Sequence, residues 1–309
     1  MQKFTSIAAL TALLITAAAC GDDNSSASDT TAGGDTTVAA ETTAAPETTA
    51  GADVPTAIVS LSPTATEMLF AIGAGDQIIA VDDFSNYPAE ALEKPHDLSG
   101  FEPNVEAIAA LQPDLVIMQD PTIQEQLEAL GITVWIGQAA TSFDDVYSQI
   151  EQLGAATGHI GEAAELVAQM QTDIEAAIAA APNAEGLKVY HELDNTFYSV
   201  TSNTFIGQVY GLFGLVNIAD EAQPGNDYPQ LNAEYIVQQN PDLIFLADTK
   251  CCGETPETAA ARPGWEGIAA VVNGGIVGLD DDIASRWGPR LVDFIEAVSA
   301  AVAKVPAGA

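Results

Sequence analysis

Asn104-Val-Glu-Ala-Ile-Ala-Ala-Leu-Gln-Pro-Asp-Leu-Val-Ile117 recurs further along the chain as Asn232-Ala-Glu-Tyr-Ile-Val-Gln-Gln-Asn-Pro-Asp-Leu-Ile-Phe245. Each copy reads as a short amphipathic helix, a Pro-Asp turn and an apolar strand. The match sets Glu106 against Glu234, Ile108 against Ile236, and Pro113-Asp114-Leu115 against Pro241-Asp242-Leu243. Two copies so far apart imply two lobes of similar build, each displaying one glutamate at an equivalent place.

The flanking sequence supports that reading. Ala57-Ile-Val-Ser-Leu61 is an apolar run that predicts a buried strand. Ser62-Pro63 predicts the start of a helix, because Ser caps well and Pro suits the first helical position. That helix carries Met68, Leu69 and Ile72 and ends at Gly73 or Gly75. Strands are predicted at 78–81, 115–118 and 133–136, with helices over 104–111 and 122–130. Strand, helix, strand at this spacing predicts a parallel sheet. Residues 142–181 are helical in pattern, with Gly154, Gly158 and Gly161 as interruptions. The piece from Gly161 to Ala181 spans about 30 Å at 1.5 Å per residue. The second lobe opens with a strand at 187–190 and closes with a helix over 289–304. Its segment from Tyr198 to Gly214 mirrors Ser60 to Gly73. The predicted fold class is α/β: two similar lobes with parallel-type sheets, joined by a long backbone helix that makes the body stiff, with a ligand cleft between them.

The chain opens with Met1-Gln-Lys3, an apolar run from Ile7 to Ile15, and Ala17-Ala-Ala-Cys20. A cationic start, a core too short to span a bilayer and small residues before a cleavage point make a secretory signal over 1–19. Cys20 directly after the small residues has the look of a bacterial lipobox, with Ala17 where Leu is preferred. It is either the site of a diacylglyceryl anchor or incidental to plain secretion. Residues 20–55 are rich in Thr, Ala, Gly, Ser and acids, a composition that predicts a disordered tether about 30 Å in reach. The remaining divisions are a lobe over 56–141, a helical connector over 142–182 and a lobe over 183–309.

The net charge of −36 argues against nucleic acid and against anionic membrane surfaces as partners. So acidic a composition is also what a saline habitat selects. Four of the eight basic residues, Lys250, Arg262, Arg286 and Arg290, fall in the second lobe and mark a reserve of positive charge for an anion contact. Of the three cysteines, Cys251 and Cys252 are adjacent: a vicinal disulfide, two free thiols or a soft-metal pair.

Ile58-Val-Ser-Leu-Ser-Pro-Thr-Ala-Thr-Glu-Met-Leu-Phe-Ala-Ile-Gly-Ala-Gly75, followed by Asn104-Val-Glu-Ala-Ile and Pro113-Asp-Leu-Val, resembles the helical-backbone periplasmic binding proteins. These are the substrate-binding components of ABC importers for iron–siderophores, haem and vitamin B12, and the resemblance covers about residues 56–304. It implies a monomer that captures an iron chelate or corrinoid outside the cell and hands it to a permease dimer. The resemblance assigns Glu106 and Glu234 to docking in arginine pockets of the two permease subunits. The other reading is that both are solvated helix residues left by duplication. It further nominates Tyr228, Asp282, Arg286 and Trp287 for the ligand in the second lobe, and Tyr87 and Phe101 in the first. Phe101, Trp135 and Trp265 are each either core or cleft wall, and Arg290 either faces ligand or pairs with an acid.

Rival functions have less support. A bare metal-ion receptor needs three or four converging ligands, and the chain has only His96, His159 and His191. His191, at a strand end, either bonds backbone or reaches the cleft as a haem ligand. There is no G-x-S-x-G elbow, P-loop or H-E-x-x-H. The expectation is a binding protein, not an enzyme, with no resident cofactor. A ligand-sensing lipoprotein without transport is the remaining alternative.

Overall fold

The computed structural model describes residues 54–306. The leader, Cys20 and nearly all of the 20–55 tether lie outside the described residues. Strand β1 (Ile58–Leu61) is wholly buried, and α1 (Pro63–Ala71) starts directly after it. The Ser62 hydroxyl caps α1, accepting from the Ala65 N–H at 3.3 Å, with Pro63 in the first turn. β2 (Ile78–Val81), β3 (Leu115–Met118) and β4 (Thr133–Ile136) complete an all-parallel sheet of order β2-β1-β3-β4. The crossovers after β2 and β3 carry α2 (Val105–Ala110) and α3 (Gln124–Ala129).

A two-helix connector follows. α4 (Phe143–Thr157) begins with a capping box between Ser142 and Asp145. α5 (Ile160–Ala180) has 21 residues, about 30 Å of helix. Only Gly158 breaks the pattern, at φ +80°. Gly154 lies inside α4 rather than interrupting it: a Cβ there would stand 2.4 Å from the Ala163 Cβ, so its bare backbone lets the two helices touch. Gly161 is likewise inside α5.

The second sheet repeats the first. β5 (Lys188–Glu192), β6 (Val216–Asn217), β7 (Leu243–Leu246) and β8 (Ile276–Gly278) run parallel in the order β6-β5-β7-β8. α6 (Phe205–Gly211), capped by Thr204, corresponds to α1, but the loop 193–204 separates it from β5. α7 (Ala233–Gln239) corresponds to α2. Asn104 and Asn232 cap these two helices, accepting from Ala107 N–H at 3.0 Å and Tyr235 N–H at 2.9 Å. Ile108 and Ile236 are both fully buried. The aspartate of each Pro-Asp turn then fastens the start of the central strand. Asp114 accepts from the Ala57 N–H at 3.1 Å, and Asp242 from the Lys188 N–H at 2.8 Å. The repeat therefore carries its own tertiary contacts.

Beyond β7, α8 (Pro256–Ala260) packs on β8 and α9 (Ala269–Asn273) on β7. α10 (Asp281–Ser285) leads to the terminal helix α11 (Leu291–Val302), which packs along α5. One apolar core runs from Ile58 and Met68 through Ile150 and Met170 to Phe245 and Phe294. Opening the lobes widely would shear that shared core, and close-packed interiors resist shear.

Candidate ligand-binding cleft

In open α/β sheets, ligands lie beyond the carboxyl ends of the strands. In the first lobe the residues just after those ends are Ser62, Asp82, Gln119, Asp120, Gly137 and Gln138, and all six border the cleft. Two adjoining cavities, about 630 and 340 Å³, share Thr64, Gln119, Gln138, Ala139 and Ser285. Opposite stand Tyr228, Ser285, Arg286 and Trp287 of the second lobe.

Phe101 borders the larger cavity and is 82% exposed. Phe84, half-exposed, meets it edge to face with ring centroids 5.4 Å apart. Tyr228, also half-exposed, borders the smaller cavity. Trp287 is partly buried there, stacked on Phe205 at 4.6 Å, and its indole N–H donates to the Ala284 carbonyl. Trp135 is partly buried and borders the same cavity. Exposed aromatic faces of this kind offer a large apolar contact area at fixed geometry.

The charged residues behave differently from expectation. Arg286 borders the cleft but is only 8% exposed, and protein acceptors occupy its guanidinium. Nη1 donates to Asn86 Oδ1 at 2.7 Å and lies 3.2 Å from Glu67 Oε1. Nη2 donates to the Phe84 carbonyl at 2.9 Å and forms an ion pair with Asp282 Oδ1 at 2.8 Å. Arg290 donates from Nε to Glu67 Oε2 at 2.8 Å, and its Nη2 reaches Oε1. Arg262 grips Glu192 through two 2.6 Å bonds and also Glu254, while Lys250 bridges Asp280 and Asp282. All four basic residues foreseen as an anion reserve are committed to carboxylates of the protein. The cause is the excess of acids, which gives every buried cation a partner within the fold. Asp282 borders the cleft; burial alone would raise its carboxyl, but Lys250 and Arg286 hold it below the usual carboxylate range.

One further expectation, that for Tyr87, is corrected, and two alternatives left open by the sequence, Trp265 and His191, fall on the core side. Tyr87 does not border either cleft cavity. Arg290, drawn in by Glu67, sits 4.2 Å over its ring, and the tyrosine helps line a separate pocket of about 730 Å³ with Phe70, Lys94 and Asp293. That pocket is the larger one, but no residue directly after a strand end borders it. Trp265 is fully buried under Arg262 and Tyr190 and belongs to the core. His191 is fully buried too; its Nδ1 pairs with the Tyr210 hydroxyl at 2.7 Å, and burial lowers its pKa to about 3. It does not border the cleft. Cys251 and Cys252 are exposed, with their Sγ atoms 2.7 Å apart. Phe84, Asp82 and Glu67 escaped the sequence reading. An aromatic three residues past the end of β2 was the available signal for Phe84.

Glu106 and Glu234 sit in the first turns of α2 and α7, both exposed, and neither is in an ion pair among the described residues. Neither borders the cleft cavities.

Residues 58–283 match the model of the family described as periplasmic binding protein. The chain is 32% identical over 259 residues to an uncharacterized ABC transporter substrate-binding lipoprotein of Bacillus subtilis, covering 80% of each. It is 30% identical over 249 residues to a cobalamin-binding protein of Halobacterium salinarum, covering 77% of this chain and 67% of that one. The crystal structure of the periplasmic vitamin B12 binding protein of Vibrio cholerae superposes with a TM-score of 0.66 at 27% identity, covering 80% of this chain and 96% of that one.

Proposed function

The chain belongs to the periplasmic binding protein family and is the extracytoplasmic substrate-binding component of an ABC importer, and from that premise we propose that its cargo is a corrinoid of the cobalamin type. The observation that carries this is the cleft itself: a broad, aromatic-walled space at the strand ends with no uncommitted cation on its walls among the described residues. Phe84, Phe101, Tyr228 and Trp287 supply flat apolar surface for a macrocycle. Asp82, Asp282, Gln119 and Gln138 supply polar groups for its peripheral amides. Arg286 holds the Phe84 loop in place. Among the described residues no group of three His, Cys, Asp or Glu is arranged to hold a metal ion. The relatives named as cobalamin- and B12-binding support the same choice.

The reading includes no catalytic step. Delivery rests on Glu106 and Glu234, two exposed carboxylates at equivalent positions of the repeated segment. Such a pair suits a roughly two-fold permease, whose arginines would meet carboxylates bidentately. The Met1–Cys20 leader pattern supports lipid anchoring through Cys20, with 20–55 as tether to a monomeric body.

Calorimetric titration of the purified protein with cyanocobalamin tests the cargo. Saturable one-to-one binding at micromolar affinity or better is expected. Absence of binding overturns the corrinoid reading and leaves the family assignment untouched.

A further inference from the structure

Asp82, directly after β2, is 2% exposed yet borders the larger cleft cavity. Its Oδ1 accepts from the Ser85 hydroxyl, which contacts Thr66 and through it Ser60, so the side chain is held in one orientation. No side chain among the described residues donates to Oδ2. A Cβ on residue 100 would stand 2.7 Å from that oxygen, so Gly100 is what leaves room beside it. Burial raises the Asp82 carboxyl to about 6, which still leaves it ionised at pH 7.5.

The surrounding charge is one-sided. Asp82, Asp120 and Asp282 border this cavity against Arg286 alone, and that cation is already spent on Glu67, Asp282 and their neighbours. The smaller cavity has no charged residue on its walls among the described residues. A carboxylate with a free oxygen in a partly dry site attracts N–H donors and repels anions more strongly than it would in water.

We propose that Asp82 is the specificity-determining residue of the cleft, selecting cargo that presents N–H donors and carries no negative charge at that point. Resting on the corrinoid reading, this means that a corrinoid with intact peripheral carboxamides is preferred over one in which an amide has been hydrolysed to a carboxylate.

The test compares cyanocobalamin with its monocarboxylate derivative by calorimetry at pH 7.5. The wild-type protein is expected to bind the amide at least about tenfold more tightly. Asp82→Asn, which keeps the shape and removes the charge, is expected to narrow the gap to about threefold or less. Equal affinities in the wild type overturn the proposal, as does a gap that Asp82→Asn leaves unchanged. If cyanocobalamin itself fails to bind, the corrinoid reading falls by that result. The charge rule is then read from a neutral ferric trihydroxamate against a trianionic ferric tricatecholate. Preference for the trianion, or binding of neither, overturns it.

Discussion

Glu67 on α1 of the first lobe lies 3.2 Å from Arg286 of the second, and the same carboxylate takes two bonds from Arg290. Glu67 is 2% exposed and both arginines 8%. The triad thus closes across the lobe junction, out of water. Removing one member of a buried ionic group strands the others, which costs about 3–5 kcal/mol. Glu67→Ala is therefore expected to lower unfolding stability by that amount, measured from urea denaturation. A change below about 1 kcal/mol would show that the triad does not bind the lobes together.

Phe101 makes the opposite prediction. A phenyl ring 82% exposed contributes little to the fold, and surface substitutions stay within about 0.5 kcal/mol. The proposed cargo wall, with Phe101 at its tip, requires the ring to contribute much to binding. Phe101→Ala is expected to weaken cyanocobalamin binding by about tenfold with unchanged urea stability. A matching loss of stability, or unchanged affinity, would remove it from the wall.

The contrast between these residues explains what was legible in the chain. β2, β3 and β4 stand where their apolar runs predict them, because an apolar parallel strand is a local pattern, even in β4, whose residues are exposed or only partly buried at the sheet edge. The repeated segment was legible for the same reason, down to the Pro-Asp turns, whereas its Asn104 and Asn232 caps emerged only in the fold. The Glu67 triad was not. Its partners lie 219 and 223 residues apart in sequence, and no periodicity records such a distance. Arg286 looked like free charge because composition counts cations without showing which carboxylates fold against them. Tyr87 and Phe84 share one loop, and the contacts that set their different surroundings, Arg286 on the Phe84 carbonyl and Arg290 over the Tyr87 ring, come from more than 200 residues away.

Asp248 gives a pH signature. It is fully buried, both its carboxylate oxygens lack partners among the described residues, and Arg262 is taken by Glu192 and Glu254. Burial, then the charges of Glu192 and Glu254, raise its carboxyl to about 7. The folded state thus holds this proton more tightly than the unfolded chain, whose Asp titrates near 3.9. The sign follows: no penalty below about pH 4, a growing loss of stability as pH rises toward 7, and the full loss above it. Wild-type stability minus that of Asp248→Asn is expected to fall by about 1–3 kcal/mol between pH 5 and 8. Parallel profiles for the two proteins would place the titration elsewhere.

The docking role proposed for Glu106 and Glu234 is separable by experiment from cargo capture. Each sits in the first turn of a helix, where a carboxylate gains only about 0.3–1 kcal/mol from the helix dipole. Neither borders the cleft, so Glu106→Ala with Glu234→Ala is expected to leave the fold and cyanocobalamin affinity as they were. Charged docking pairs govern register and association rate, and one pair per lobe means that either single change leaves half of the dock in place. Uptake by cells carrying the double variant is expected to fall at least about tenfold, and by less for each single variant. Two solvated glutamates left over from duplication would give a different result: all three variants would transport at the wild-type rate.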